Sequence, residues 1–294
     1  MKKLLKKILN ASEYLVGINQ RNLEYVYPNN PRKHFPLAND KVLAKSILEK
    51  NGVPVPVTYA VVNELWEIST ILEQILIQKE IVIKPANGSG GGGILILFQK
   101  DEGVWTTHSG EVYKKNKLYH HLASILYGVY SSGDKDKAII EYCLTPHPFL
   151  TGIYDKGIPD FRIILLKGIP LMAMLRVPTN KSGGKANLHQ GAIGIGVDMD
   201  RGIVTQGFYK NKYVDYHPDS GNYFAGKVIP DWSKTLEISI ETSKLFPLDY
   251  LGVDIILDRY SGPMVIEVNA RPGLQIQNIN KIGLKESVDK NIQL

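Results

Sequence analysis

Apolar positions along this chain recur with two periods, and the changes between them outline its elements. Asn39 caps a helix expected over residues 40–50, which Asn51-Gly52 ends. Val53-Pro54-Val55-Pro56 then forces an extended segment. A strand is expected over 57–62 and an amphipathic helix over 64–78. Short apolar strands follow at 80–85 and 94–98, with a run of glycines between them. Further on, the pattern predicts a helix over 118–129 and a strand over 138–144. A hairpin is expected from 161–166 and 171–177, turning over Lys167-Gly168-Ile169-Pro170. A polar loop covers 179–185, a helix 232–246, and a closing hairpin 250–258 with 264–269. Residues 28–36, rich in Pro and Asn, read as a loop. Strands and helices interleave with many hairpins, which makes the class α+β.

Composition narrows the options. At roughly 150 residues per domain, 294 residues suggest about two domains. The longest apolar runs fall far short of the roughly 18 residues that mark a membrane span. The lone cysteine, Cys143, excludes an intrachain disulfide and any multi-cysteine metal site, and fits a reducing compartment. Net charge is +6, but Lys2, Lys3, Lys6 and Lys7 carry four of those charges, leaving +2 for the rest. Basicity therefore belongs to one end, which argues against nucleic-acid binding, since that needs a distributed cationic face. The stretch to about residue 15 reads as a short amphipathic helix, with Leu4, Leu5, Ile8 and Leu9 between the lysines. It lacks the apolar core of a secretory signal, so the expected location is cytoplasmic. Residues 1–10 leave membrane-surface or protein docking open, hence a cytoplasmic protein with a peripheral membrane option.

Two patterns carry chemistry. Residues 88–93 hold five glycines. A plain turn needs fewer, and the surplus suggests a flap whose backbone N–H groups approach an anion closely. Neither a Walker A loop nor a dinucleotide fingerprint fits, because a strand follows where a helix should begin. Lys84 sits just before the flap, where an ammonium could contact phosphates. In the closing hairpin, Glu267 and Asn269 share one strand face. If the connecting loop has an even residue count, Asp254 pairs opposite 267 or 269 and points the same way. Such an oxygen cluster between apolar neighbours suits Mg²⁺. Arg162 and Arg176 lie on adjacent expected strands, where they would stabilise developing negative charge. His189 is an acid/base candidate or a structural hydrogen-bonder. The other histidines show no metal spacing.

The motifs, taken in order, resemble those of ATP-grasp carboxylate–amine ligases, and most closely the alpha-L-glutamate ligase-like group related to the ligase that adds glutamate to ribosomal protein S6. They are Asp40-Lys41, Val53-Pro54-Val55-Pro56, Val82-Ile83-Lys84-Pro85, Gly88–Gly93, Ile140-Glu141-Tyr142, Asp160-Phe161-Arg162, Met174-Leu175-Arg176, Lys185-Ala186-Asn187-Leu188-His189-Gln190-Gly191, Gly252-Val253-Asp254 and Glu267-Val268-Asn269-Ala270-Arg271-Pro272-Gly273. The resemblance covers residues 18–285 and implies an ATP-grasp fold: two α+β lobes clasping the nucleotide. By this resemblance Lys41 and Lys84 contact ATP phosphates, and the loop of Gly88, Ser89, Gly90, Gly91 and Gly92 closes over them. Glu141, Tyr142, Cys143 and Leu144 would hold adenine and ribose. Asp254, Glu267 and Asn269 would bind two Mg²⁺ ions, with Mn²⁺ as a substitute. Arg162, Arg176 and Asn187 would position the acyl phosphate, and Lys185, His189 and Arg271 would reach the substrate.

The expected organisation is residues 1–38 as a basic helix and extended segment, 39–140 as the first lobe with the flap, and 141–294 as the second lobe with the metal and substrate site. Two departures stand out. Thr145-Pro146-His147-Pro148 occupies the place of the usual ribose-binding acid, and only 38 residues precede Asn39, so the family's front α/β domain is expected to be absent or vestigial. The implied activity is ATP- and Mg²⁺-dependent amide formation through an acyl phosphate, from an amino acid such as glutamate to a peptide or protein amine. The alternative is a nucleotide-binding regulatory or scaffold protein without ligase activity. Nucleic acid is not an expected partner, and a homo-oligomer is left open.

Overall fold

The computed structural model describes residues 14–88, 90–107 and 109–292. The chain divides into two compact units, the smaller of residues 40–46 and 55–144, the larger of 1–39, 47–54 and 145–294. The sequence alone placed the divisions at 39 and 141.

From α1 (Lys41–Lys50) the chain runs through β1 (Thr58–Val62), α2 (Ile68–Gln74), β2 (Glu80–Pro85), β3 (Leu95–Asp101), β4 (Val104–Thr106), β5 (Val112–Lys114), α3 (Lys115–Leu126) and β6 (Ala138–Tyr142). The smaller unit's sheet has the order β1-β6-β2-β3-β4-β5, antiparallel throughout. α2 and α3 pack against each other and on the sheet. Ile81, Ile83, Leu97, Trp105, Leu118, Leu122 and Ile140 form the core between them. α1 is capped by Asp40 rather than Asn39: the Asp40 carboxylate accepts from the N–H groups of Val42 (2.8 Å) and Leu43 (3.1 Å), satisfying two donors that the first helical turn leaves open.

The larger unit contains β7 (Asp160–Leu166), β8 (Ile169–Val177), β9 (Ile193–Asp198), β10 (Ile203–Tyr209), β11 (Lys212–Val214), α4 (Trp232–Lys244), β12 (Tyr250–Asp258), β13 (Gly262–Asn269), α5 (Gln275–Asn280) and α6 (Leu284–Asn291). Its sheet has the order β11-β10-β9-β8-β7-β12-β13, again antiparallel. α4 packs on β7, β8, β12 and β13, and α5 on β8, β9 and β10.

Residues 28–36 are not a plain loop, since Tyr27–Asn29 and Arg32–His34 are single helical turns and Phe35–Asn39 is a short helix. Their prolines sit where a turn begins, a position that tolerates the missing N–H. The helix expected over the first fifteen residues lies outside the described residues up to residue 13, and Leu15–Gly17 take no regular form. β9 was not visible as a strand because glycine alternates in it. α5 explains that composition: a Cβ on Gly194 would lie 2.3 Å from Ile279 Cδ1.

Candidate active site

Four neighbouring strands of the larger unit deliver charges to one sheet face. The register pairs Arg176 with Asp160, Arg162 with Asp254, and Asp254 with Glu267. Because side chains alternate, Asp160 and Arg162 share a face, as do Glu267 and Asn269, so all six belong to one surface. Further along the same face the residues turn apolar. Ile164, Leu166, Met172, Met174 and Tyr250 join Ile276, Ile279 and Leu284 in a continuous core. The face is thus half core and half charge.

The parity of the closing hairpin is reached by an unexpected route. The connecting loop, Arg259 to Ser261, has three residues, an odd number that alone would turn Asp254 and Glu267 to opposite faces. A one-residue bulge after Asp254 corrects the register: Ile255 pairs with Val265 while Asp254 pairs with Glu267. The expected convergence of 254 and 267 therefore depends on a bulge and not on an even loop.

Asp254 is fully buried, and two guanidinium groups hold it. Arg162 donates from Nε to Oδ1 (2.8 Å) and from Nη2 to Oδ2 (2.6 Å). Arg176 Nη2 donates to Oδ2 (2.7 Å), and Asn269 Nδ2 to the same oxygen (3.3 Å). Arg176 also forks onto Asp160, Nε to Oδ1 at 2.5 Å and Nη2 to Oδ2 at 2.7 Å. Burial opposes ionisation of Asp254, but Arg162 and Arg176 outweigh it and hold the carboxyl at about 2. Burial pushes Asp160 up, to about 6, against the pull of Arg176, and nearby Asp254 adds to the push. For Arg176 itself, burial works against the charge and the carboxylates of Asp160 and Asp254 raise its pKa well above the ordinary value. The sequence assigns Asp160 no role, because its part in fixing Arg176 depends on the register of two strands.

The remaining expected residues of this unit are spread more widely. Asn187 caps the turn Leu188–Gln190, accepting from the His189 N–H (2.9 Å). His189 is exposed and Lys185 half-buried. Arg271 is exposed and lies over the Phe35 ring, 5.6 Å from its centroid.

In the smaller unit a second charge cluster is buried. Glu141, on β6, is bound by Lys84 Nζ of β2 (2.5 Å) and by Lys45 Nζ of α1 (2.7 Å). Burial alone would raise the Glu141 pKa, but the two ammonium groups bring it below the usual range. Lys45 was missed in the sequence; its only signal is its place one helical turn after Lys41. Lys41 Nζ donates to the Gly88 carbonyl at the base of the flap (2.9 Å). The other side of that base is held by the buried carboxylate of Asp136, which accepts from the backbone and side chain of Asn87 and from Ser131 Oγ. At the far end His121 Nε2 meets the Gly93 carbonyl (3.0 Å), and Gly93, at φ +73°, lies so close to the Tyr130 ring that a Cβ would come within 2.6 Å of it. The flap is therefore clamped at both ends. Gly90 is exposed, Gly91 and Gly92 are half-buried, and Ser89 lies outside the described residues. Beyond Glu141, Tyr142 is half-buried and Cys143 and Leu144 are buried.

The oxygens of Asp254, Glu267 and Asn269 are the hard donors that a magnesium ion takes, and they lie on one face with Asp254 Oδ1 accepting only from Arg162 Nε among the described contacts. The donor set fits such an ion.

A flap clamped at its two ends beside a buried lysine pair, and a second antiparallel sheet carrying a carboxylate–arginine face, are the parts of an ATP-grasp fold. The chain belongs to the sugar-transfer associated ATP-grasp family, whose model matches residues 20–293. Among solved structures it is similar to ATP-grasp ligase PsnB complexed with a minimal precursor, at 14% identity and a TM-score of 0.48 over 89% of this chain and 61% of that one. D-alanine–D-alanine ligase from Bacillus anthracis is similar at 17% identity and TM-score 0.44, over 87% and 67% of the two chains. D-cycloserine synthetase DcsG is similar at 15% identity and TM-score 0.48, over 88% and 71%. The chain spans about three fifths of the length of the PsnB structures. No curated protein matches it. Among the described residues, no helix is long and apolar enough to cross a membrane.

Proposed function

We propose that the protein is an ATP-dependent carboxylate–amine ligase. The observation that carries this reading is the face on which Asp254 lies between Arg162, Arg176 and Glu267. A carboxylate is a poor electrophile. In the proposed reaction its oxygen attacks the γ-phosphorus of ATP and ADP leaves. The amine nitrogen then attacks the acyl carbon, phosphate leaves, and the nitrogen loses a proton. Arg162 and Arg176 present planar donors to the oxyanion and departing phosphate. Lys41, Lys84 and the flap bind phosphate oxygens, and closure of the flap excludes water that would hydrolyse the acyl phosphate. Asp254, Glu267 and Asn269 would hold magnesium, which when bound neutralises phosphate charge. Tyr142, Cys143 and Leu144 contact the nucleotide base in this reading, since the Glu141 carboxylate is engaged by two lysines.

For the donor, an amino acid such as glutamate remains the reading suggested by the ordered motifs. PsnB has been solved with a precursor peptide and with Mg and ADP. For this chain a peptide or protein amine is one acceptor class; the family's association with sugar transfer makes a saccharide-borne amine the other. Purified protein with Mg²⁺ and ATP should release phosphate only when acid and amine are both present, giving a product whose mass is their sum less water. Equal turnover by Asp254→Asn and Glu267→Gln would overturn the assignment.

The second reading is a nucleotide-binding regulatory protein. One observation favours it: Asp254 Oδ2 already accepts from three N–H groups, which a magnesium ion would have to share. Binding of ATP with Mg²⁺ and no acid-dependent ADP across the same panel would select it.

A further inference from the structure

Pairing between β12 and β13 stops short at one end. Gly252 pairs with Asn269, the last residue of β13, and one more step of that register would set Tyr250 opposite Arg271. The chain turns away instead, and the side chain of Asn30 takes that place. Its Nδ2 donates to the Tyr250 carbonyl (2.7 Å) and its Oδ1 accepts from the Tyr250 N–H (2.9 Å), the pair of bonds that a facing strand residue would make. The same Nδ2 donates to the Ala270 carbonyl (2.9 Å), so one buried amide ties the start of β12 to the residue after Asn269. Arg21, from the same early segment, is also buried, and its Nη1 donates to the carbonyls of Pro272 (2.8 Å) and Arg271 (3.5 Å). Pro272 in turn packs on Gly252, where a Cβ would lie 2.7 Å from the Pro272 Cβ.

The carbonyls of Ala270, Arg271 and Pro272 lie beyond the ladder, at the end of a strand that has a strand neighbour on one side only. Such an end frays unless its backbone groups are met. Here two buried side chains meet them, so the backbone at Asn269 is set by Gly252 across the ladder and by Asn30 just past it. Asn269 also donates from Nδ2 to Asp254 Oδ2 (3.3 Å), which places its amide beside the buried carboxylate. A magnesium ion demands near-ideal ligand geometry, and the groups that hold its ligands in place matter almost as much as the ligands. We propose that Asn30 and Arg21 are positioning residues of the metal site: they fix the turn 270–272 and, through it, the Asn269 side chain. The proposal rests on the reading of Asp254, Glu267 and Asn269 as magnesium ligands.

The test is titration of Mn²⁺, as a stand-in for magnesium, into the full chain saturated with ADP, with the free ion read by electron paramagnetic resonance. Asp254→Asn should abolish the protein's share of the binding. Asn30→Ala and Arg21→Ala should each weaken Mn²⁺ binding about tenfold. Arg21→Lys keeps one donor for the Pro272 carbonyl and should recover most of that loss. Should Asn30→Ala fail to fold, Arg21→Ala carries the test. Val26→Ala, which opens a cavity in the buried core under the same segment, is the control: it should lower the melting temperature and leave Mn²⁺ affinity unchanged. Parent affinity in Arg21→Ala would overturn the proposal. So would an equal loss in Val26→Ala, because the segment would then be a general support. If Asp254→Asn binds Mn²⁺ as the parent does, the magnesium reading itself fails and the proposal falls with it.

Discussion

The two buried charge clusters solve one problem in different ways. In the smaller unit a single carboxylate, Glu141, is held by two lysines, one from a strand and one from a helix. In the larger unit Asp160 and Asp254 are held by two arginines, all four on strands of one sheet. Ammonium groups on long stems act as point charges, whereas guanidinium groups bind through a rigid fork. The first cluster can adjust its geometry, and the second is locked by strand register.

The largest effect should come from breaking the locked cluster. Asp254→Ala leaves Arg162 and Arg176 facing each other in a buried site, and urea denaturation should show a loss of about 3–5 kcal/mol. A loss below about 1 kcal/mol would show that the arginines can turn out to solvent, and the contrast between rigid and adjustable clusters would fail.

Glu141→Gln comes next. An amide keeps the shape and still accepts a hydrogen bond, and the lysine stems can move apart, so about 2 kcal/mol is expected. The pH dependence separates the clusters further. Both carboxyls have lowered pKa values in the folded protein, so the stability they supply is present above their ordinary values and is lost as pH falls through the folded ones. For Asp254 that window runs from 3.8 down to about 2. For Glu141 it begins at 4.5. The Gln variant should therefore show a shallower fall in stability between neutral pH and the onset of acid unfolding than the parent. An identical profile would mean that Glu141 is not ionised by its lysines.

The smallest effect concerns a polar group the charged face does not pair. Tyr250 is four residues before Asp254 on the same face, and its buried hydroxyl has no hydrogen-bond partner among the described residues. Tyr250→Phe removes that unmet donor and should stabilise by about 1 kcal/mol, read as a higher melting temperature. Destabilisation would mean that the hydroxyl is satisfied by water.

Much of the fold could be read in advance where the pattern was strong. The strand 80–85 coincides with β2, and 161–166 and 250–258 differ from β7 and β12 by no more than one residue. Elements of three residues, such as β4, β5 and β11, are too short to display a period, and β9 is interrupted by glycine. Among the site residues, Arg162, Arg176, Asp254 and Glu267 were singled out from the sequence, and the structure brings them together on one face. Lys45, Asp160 and Asp136 were not, because their partners lie far away in the chain.

The sequence by itself determined the α+β class, the glycine flap beside Lys84, and the acids and arginines at strand spacing, because each is a local pattern of period or composition. Tertiary structure decided which charges meet. Asp254 faces Glu267 through a one-residue bulge in β13, Glu141 is joined to lysines of α1 and β2, and one sheet face is divided between core and charge. Pairing of this kind depends on register and on packing between distant segments, and a single residue of slip would reverse it.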